Sequence, residues 1–194
     1  MKQLSFLCVL AMATWGQAWA AAGTVQDASG EVTAQMGKAK PQALAKAGSF
    51  ESGSVISTGK DSSAVLKFED GHTIVLQPNS SFRIDRYRYA PEAPKENSAI
   101  FSFLKGGLRS ITGLLGQQRK EAFSLKTPQA TIGIRGTDIF TVLRGKAMFT
   151  QVNDGAIVLN NGGGSLLMNK GQVSRVMGKN ALGSLVDPSA VPKG

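Results

Sequence analysis

Residues 127–143 constrain the fold more than any other part of the sequence. The segment carries isoleucine, valine and phenylalanine with β-branched threonines between them, a composition that favours buried β-strands. Four consecutive residues interrupt this apolar run: Arg135, Gly136, Thr137 and Asp138. A glycine inside a strand permits a bulge or a close backbone approach, and a buried arginine needs matching acceptors. We therefore expect a strand with a polar clamp, in which Arg135 binds backbone carbonyls or a carboxylate, Asp138 being the nearest candidate. The alternative is that Arg135-Gly136-Thr137 is a recognition element for a partner or ligand.

Short alternating apolar runs bounded by turn residues fill most of the remaining sequence. Asp70-Gly71 separates two such runs and predicts a hairpin. Asp154-Gly155 predicts a second hairpin, between strands at 147–152 and 156–159. The two segments resemble each other, so an internal duplication that gives two β-halves around one core remains open.

Several other segments also favour strands. Residues 25–36 predict a strand pair around a turn at Ser29-Gly30, and residues 100–105 and 108–112 predict two more strands. The apolar residues of 99–116 recur at helical spacing, but four glycines within that segment would weaken a helix. A polar loop is expected at 117–121. The overall expectation is an all-β domain of roughly twelve short strands with tight Gly-rich turns, packed as a sandwich or as a rolled or solenoid-like sheet.

The first twenty residues have the pattern of a cleavable signal peptide. Met1 and Lys2 form a positively charged start, residues 4–15 are apolar, and Ala18-Trp19-Ala20 has the small-x-small form of a cleavage site. The apolar run is too short for a lasting membrane span. We expect a signal peptide at 1–20, a β-domain at 21–178 and a flexible tail at 179–194. Cleavage after Ala22 is the alternative to cleavage after Ala20.

Composition limits the partners that the chain could bind. The formal net charge is +9, which favours either a basic solvated surface or contact with an anionic polymer such as lipopolysaccharide or peptidoglycan. In the segment 82–89 arginines alternate with aromatic residues, and the candidate contacts to an anionic partner are Arg83, Arg86 and Arg88. The alternative is a half-exposed strand whose arginines lie over its tyrosines. No nucleic-acid-binding module is recognisable, so nucleic acid is not an expected partner.

The sequence predicts no catalytic, metal or cofactor site. His72 is the only histidine and Cys8, within the predicted signal peptide, the only cysteine, so a thiol nucleophile or a zinc-thiolate site is not expected after cleavage. We expect His72 to be an exposed turn residue. A hydrolase with two carboxylates is the remaining enzymatic alternative, and its candidate residues lie at predicted turns: Asp61, Glu69, Asp138 and Asp154.

The segment TPQATIGIRGT resembles the signature T-P-x-A-x-x-x-x-R-G-T of the FecR domain family of bacterial envelope proteins. The matching residues are Thr127, Pro128, Ala130, Arg135, Gly136 and Thr137. Residues 53–84 and 104–113 agree with the family in the same order, and the resemblance covers about 25–176. It supports the strands expected between 100 and 112, and it implies a role in signalling or assembly.

Regulators of this family relay transport signals from the inner membrane to a cytoplasmic sigma factor. The signal-peptide pattern departs from theirs, because it predicts no transmembrane span in the mature chain. The resemblance therefore implies a free-standing, non-enzymatic domain, periplasmic or secreted, that acts through protein contacts or by strand addition at a sheet edge. Binding of an anionic polymer and carboxylate-dependent hydrolysis are the alternatives.

Overall fold

The computed structural model describes residues 21–192, except for the side chain of Arg135. The predicted signal peptide lies outside these residues. The strands are β1 Gly23–Ser29, β2 Val32–Met36, β3 Gln42–Ala43, β4 Ser49–Phe50, β5 Ser54–Thr58, β6 Ser63–Phe68, β7 Thr73–Leu76, β8 Ser81–Arg88, β9 Ser98–Ile111, β10 Phe123–Lys126, β11 Thr131–Arg144, β12 Ala147–Asn161, β13 Gly164–Asn169, β14 Val173–Val176 and β15 Ser184–Val186. The helix α1 spans Leu114–Gln118, and 3-10 turns lie at Pro94–Glu96, Lys120–Ala122 and Pro188–Ala190. The all-β prediction is confirmed.

Strand β9 is the centre of the hydrogen-bonded sheet. It pairs with β7, β8 and β11 in antiparallel orientation and with β10 in parallel orientation. The sequence predicts two strands here, but the structure has one strand of 14 residues. Gly106 lies within this strand at a φ of 94°, and a Cβ at this position would lie 2.2 Å from the Oγ of Ser80. The glycine therefore lets the preceding turn pack directly onto β9.

The first two strands exist as predicted but do not pair with each other. β1 pairs with β4 and β6, whereas β2 pairs with β3 and β5. The chain diverges after Gly30 because Glu31 is held by the opposite turn: its N–H donates to Ser62 Oγ at 2.9 Å, and its carbonyl accepts from the N–H of Gly59 at 2.8 Å. The prediction of a strand pair at 25–36 was wrong for this reason.

The two Asp-Gly dipeptides have different structures. Asp70-Gly71 closes the predicted hairpin between β6 and β7. Asp154-Gly155 instead lies inside β12, which runs without a turn through 15 residues. The second predicted hairpin was therefore wrong, and with it the observation that suggested an internal duplication.

Aromatic and aliphatic side chains form one core. The fully buried large residues include Phe82, Phe101 and Phe103, and the rings of Phe68 and Phe123 also pack against Phe101. Leu115 of α1 is fully buried in the same core. This anchor explains why a helix precedes and overlaps the segment predicted as a polar loop at 117–121.

Part of the predicted C-terminal tail belongs to the sheet. Strand β15 pairs with β14 through the register Val173↔Val186 to Arg175↔Ser184. Asn161 also holds the intervening segment, since its Nδ2 donates to the carbonyl of Ala181 at 2.7 Å. Within the described residues, no helix is long and apolar enough to cross a membrane.

Candidate functional site

The Thr-Pro-Gln-Ala segment, residues 127–130, forms a turn that is held by hydrogen bonds of Thr127. The hydroxyl of Thr127 accepts from the backbone N–H groups of Gln129 at 3.2 Å and Ala130 at 3.0 Å. The N–H of Thr127 in turn donates to the carbonyl of Ala130 at 2.9 Å. Pro128 occupies the second position, where its fixed φ suits a turn. Thr127 and Pro128 thus shape the entry to β11.

The long hairpin of β11 and β12 bends at two facing glycines. Gly136 has a φ of 63° and Gly155 a φ of 75°, and the register between the strands shifts at this level. A Cβ on Gly155 would lie 2.0 Å from the carbonyl oxygen of Gly136. The bend brings the two ends of β11 close together. Gln129, just before the strand, donates from Nε2 to the carbonyl of Lys146, just after it, at 3.5 Å. Gly136 of the signature is therefore part of the bend.

Thr137 fixes the bend to the end of β9. Its N–H donates to the hydroxyl of Thr112 at 3.1 Å, its carbonyl accepts from the N–H of Thr112 at 2.9 Å, and the two hydroxyls lie 3.2 Å apart. Both side chains are buried. This pairing gives the third residue of the Arg-Gly-Thr motif a structural role.

Asp138 forms an ion pair with Arg109 of β9. Arg109 donates from Nε to Oδ1 at 2.9 Å and from Nη2 to Oδ2 at 2.6 Å, and Asn153 Nδ2 donates to Oδ1 at 3.2 Å. The hydrogen bonds from Arg109 lower the pKa of Asp138 and raise that of Arg109 itself. The described partners of Asp138 are thus Arg109 and Asn153. The side chain of Arg135 lies outside the described part, so its role as a clamp stays a prediction.

Two of the three arginines proposed for an anionic partner already bind carboxylates. Arg83 pairs with Asp85 at 2.5 Å, and Arg88 pairs with Glu96. Arg86 is exposed and lines a groove of about 580 Å³ that also contains Glu69 and Asp85. This mixture of charges makes the face of β8 less suited to a polyanion than the sequence suggests.

His72 is buried, and the prediction that it is exposed was wrong. It retains 2% exposure, packs against the rings of Phe68, Phe101 and Phe123, and has its Nε2 3.2 Å from Ser110 Oγ. Burial lowers the pKa of His72 to about 4, although Asp70 opposes this shift. The hairpin turn is covered by neighbouring strands, a long-range contact that local sequence does not encode.

Asp70 is buried beside His72 and organises three elements. Its carboxylate accepts from Tyr87 Oη at 2.9 Å, from the N–H of His72 at 3.1 Å and from the N–H of Leu115 at 3.2 Å. Burial, followed by the charge of Asp70, raises the pKa of Tyr87. The group joins the β6–β7 turn to β8 and α1.

The four carboxylates of the hydrolase alternative lie in different parts of the fold, and Asp61 is in the turn between β5 and β6 at a φ of 56°. Asp138 and Asp154 are opposite each other in the β11–β12 register, but Asp138 binds Arg109, and Asp154 binds Lys170 at 2.9 Å. Glu69 lines the groove beside β8. Within residues 21–192, no cluster of three or more His, Cys, Asp or Glu residues could hold a metal ion.

Strand β13 presents an open edge. Among residues 21–192 its one partner is β12, from Asn161↔Gly164 to Ala156↔Asn169. The pair that closes a two-residue hairpin loop is hydrogen-bonded, and such pairs alternate along an antiparallel ladder. The backbone groups of Ser165 and Leu167 therefore point away from β12. Leu167 is 58% exposed.

Asn169 is the remaining residue of β13 whose backbone groups point away from β12, and both groups already have hydrogen-bond partners. The N–H of Asn169 donates to Gln172 Oε1 at 2.7 Å, and its carbonyl accepts from the N–H of Gln172 at 3.0 Å. These bonds agree with the alternation deduced from the hairpin loop. Ser165 and Leu167 thus supply the N–H and C=O groups that a further strand could pair with.

The family model described as FecR protein matches residues 54–158, more than half of the chain. The chain belongs to the FecR family. The match contains β5 to β11 and most of β12, so the bend at Gly136 lies within the FecR domain and the open edge at β13 follows it.

The fold is similar to that of two crystal structures, at 1.65 and 2.50 Å resolution, of a proposed anti-sigma factor from Parabacteroides distasonis ATCC 8503. Each has a TM-score of 0.53 and 14% sequence identity, and the alignment covers 69% of this chain and 59% of theirs. The chain thus matches about three fifths of the length of those proteins. No curated protein sequence matches it significantly.

Sequence reasoning missed the partners of the FecR signature. Arg109 lies within 104–113, a stretch that already resembles the family, so a basic residue there was visible beforehand. Its pairing with Asp138 depends on the antiparallel register of β9 and β11. Asp154-Gly155 predicted a hairpin turn wrongly, because Asp-Gly dipeptides are common in such turns but this one lies inside a strand.

Proposed function

We propose that this FecR-family protein is a non-enzymatic module of the bacterial envelope that acts in signalling or assembly by adding a strand of a protein partner to β13. Family membership and the fold shared with a proposed anti-sigma factor support a signalling-related role. The open edge of β13 is the observation that carries the mode of contact.

An unprotected edge strand is unusual in a folded protein. Proteins commonly shield such edges with charged residues, proline or a covering element. The six residues of β13, GSLLMN, contain neither a charged residue nor a proline. Strand addition would pair the backbone of Ser165 and Leu167, and the exposed Leu167 side chain would add specificity through a pocket or apolar surface on the partner.

Photo-crosslinking in cells tests this proposal. A photoreactive residue at position 167 should capture a discrete partner protein, identified by mass spectrometry. The same residue at position 104 is the matched control, because Leu104 is 41% exposed on β9, whose edges are paired. Equal capture at both positions, or no capture at 167, would contradict the proposal.

A pair of substitutions separates strand addition from side-chain contact. With the photoreactive residue moved to the exposed position 165, Leu167→Pro removes an outward N–H without removing a bond to β12, so it should abolish capture while the protein stays folded. Leu167→Thr keeps the N–H and should retain most of the backbone pairing. If the threonine variant loses capture as completely as the proline variant, the partner recognises the leucine and not the strand edge.

Export through the predicted signal peptide is part of the proposal. Ala22 is buried, its N–H donates to the carbonyl of Phe50 at 2.8 Å, and β1 starts at Gly23. Cleavage after Ala22 would remove a packed residue, so cleavage after Ala20 is favoured. Amino-terminal sequencing of protein recovered from the periplasm or medium should begin at Ala21, and recovery of the uncleaved chain from the cytoplasm would refute export.

A further inference from the structure

Strand β13 is the longest of the strands that have a single partner strand among residues 21–192. It has six residues, whereas β3 and β4 have two each and β15 has three. Very short edge strands resist pairing with another chain, and so do charged ones. The edge of β13 has neither protection, so it is the place in the described fold where another strand adds most readily.

The backbone groups along this edge suit a second copy of the same strand. Ser165 and Leu167 point their N–H and C=O groups outward, whereas those of Asn169 are bonded to Gln172. Facing residues at a hydrogen-bonded position of an antiparallel pair exchange two bonds. When Ser165 faces Leu167 of a second copy, Leu167 also faces Ser165 of that copy. The free groups of both copies are then used together.

The neighbouring antiparallel register is excluded by the same groups. If Leu167 faced Leu167 of the second copy, Ser165 would face Asn169, whose backbone N–H and C=O are already bonded to Gln172. The pairing of Ser165 with Leu167 avoids this conflict. It places the two-fold axis between the two copies of Leu166.

We propose that the strand added to β13 comes from a second copy of this chain, in a two-fold dimer centred on Leu166. The inference rests on the proposed function, because it names the occupant of the same edge. The two copies of β12 and β13 then form one continuous sheet. Since each copy uses the open edge of the other, the assembly closes at two chains.

Leucine side chains meet on both faces of the paired strands. Leu166, half-buried against the core, faces Leu166 of the second copy at a non-hydrogen-bonded position, where Cα atoms lie about 4.5 Å apart. Leu167 is 58% exposed. It lies diagonal to Leu167 of the second copy, at about 7–8 Å, a distance that long side chains bridge. The dimer therefore covers apolar surface that a single copy leaves in water.

The paired segment brings no like charges face to face. Residues 162–169 contain no charged side chain. Lys170, the next residue, forms an ion pair with Asp154 at 2.9 Å and lies opposite Gly162 of the second copy in the proposed register. The two copies of Lys170 are therefore at opposite ends of the paired strands.

Single cysteines in the processed protein test the register, because the only natural cysteine, Cys8, lies in the predicted signal peptide. Under mild oxidation Leu166→Cys should give a covalent dimer, since facing Cα atoms at about 4.5 Å suit a disulfide. Leu167→Cys is more exposed but should give at least about tenfold less, because its diagonal partner lies beyond disulfide reach. Leu104→Cys, 41% exposed on the paired strand β9, is the control for random collision.

Two results of the cysteine experiment would overturn the dimer. One is cross-linking at position 166 that does not exceed the control at 104. The other is cross-linking at 167 that equals or exceeds that at 166, because it would follow exposure and not the proposed register.

Sedimentation of the unsubstituted processed protein is the second measurement. It should show a dimer at physiological ionic strength, which screens the repulsion between two basic copies. Leu167→Pro should weaken association by at least about tenfold, because it removes an outward N–H. Leu167→Thr keeps this N–H and should still associate. A monomer at every concentration, or equal weakening by proline and threonine, would count against backbone pairing of two copies.

Capture in cells at position 167 separates this inference from the proposed function. Capture of the chain by itself supports both. Capture of a different protein keeps the proposed function and overturns the dimer. No capture contradicts the proposed function and the dimer together.

Discussion

Asp70-Gly71 and Asp154-Gly155 are the same dipeptide in two different settings. In the first, Gly71 has a φ of 84° in the turn between β6 and β7, and no atom from beyond its chain neighbours lies within 4 Å of the position where a Cβ would be. In the second, Gly155 has a φ of 75° inside β12 and touches the backbone of Gly136. Both require a left-handed conformation, but only the second requires the absence of a side chain. The comparison separates glycine as a turn residue from glycine as a packing residue.

Alanine at the two glycines should have unequal effects. Gly155→Ala adds a steric clash with the backbone to the strain of a positive φ, so we expect a loss of about 3–4 kcal/mol in the free energy of unfolding. Gly71→Ala introduces only the conformational strain, about 1 kcal/mol. Denaturant unfolding of both variants measures the difference. Equal losses would show that the bend at Gly155 can relax, and that the comparison does not hold.

The first dipeptide is followed directly by His72, a buried group whose pKa is shifted. The unfolded chain binds a proton at His72 near pH 6.5, but the folded protein binds it only near pH 4. The contribution of His72 to stability is therefore complete above pH 6.5 and is lost as the pH drops from 6.5 to 4, by about 3 kcal/mol at most. Asp70 opposes the pKa shift and Lys67 reinforces it.

Unfolding measured at pH 7, 5.5 and 4 tests this dependence. His72→Phe keeps an aromatic ring in the core and should flatten the pH profile between 6.5 and 4. An unchanged slope in that variant would assign the pH dependence to other groups.

Arg135 lies opposite Ala156 in the register, directly beside the bend. We predict that Arg135→Ala reduces the free energy of unfolding by more than about 2 kcal/mol, because the clamp predicted from the sequence would lose its donor. Arg175→Ala, at an exposed position of β14, is the control. An unchanged melting temperature for Arg135→Ala would refute the clamp.

Asparagine at Asp70 and at Asp154 should give the smallest difference in free energy of unfolding among these comparisons, and the two losses have different causes. Asp70→Asn places an amide against donors that need an acceptor, and we expect a loss of about 2 kcal/mol. Asp154→Asn removes an ion pair whose side chains are 67% and 70% exposed, which should cost less than about 0.5 kcal/mol. Thermal unfolding of both variants at pH 7 and low salt measures this. A larger effect at Asp154 would reverse the distinction.

Local patterns predicted the elements better than their partners. Alternation and turn residues gave β6, β7 and the hairpin between them, because all of that information lies within 15 residues. The same rules failed at Asp154-Gly155, where the outcome depends on Gly136, almost twenty residues away. They also failed for β1 and β2, whose partners are decided by contacts with Ser62 and Gly59.

The candidate site shows the same division. The signature marked the bend in β11 correctly as a special position, since an Arg-Gly-Thr sequence contradicts an uninterrupted apolar strand. The ion pair of Arg109 with Asp138 could not be predicted, because it depends on the pairing of β9 with β11. The open edge of β13 could not be predicted either, because it depends on the strand order and on which residues of β13 are hydrogen-bonded to β12. The burial of His72 depends on rings supplied by β6, β9 and β10.

The central position of β9 has a consequence for how the chain must fold. Its partners β7 and β8 precede it, whereas β10 and β11 follow it, so one flank cannot be completed until residue 144 is available. Such distant pairings slow folding and leave nascent intermediates prone to aggregation. A chain of which residue 144 has not yet been made available therefore remains incompletely closed, a state that the proposed export would require.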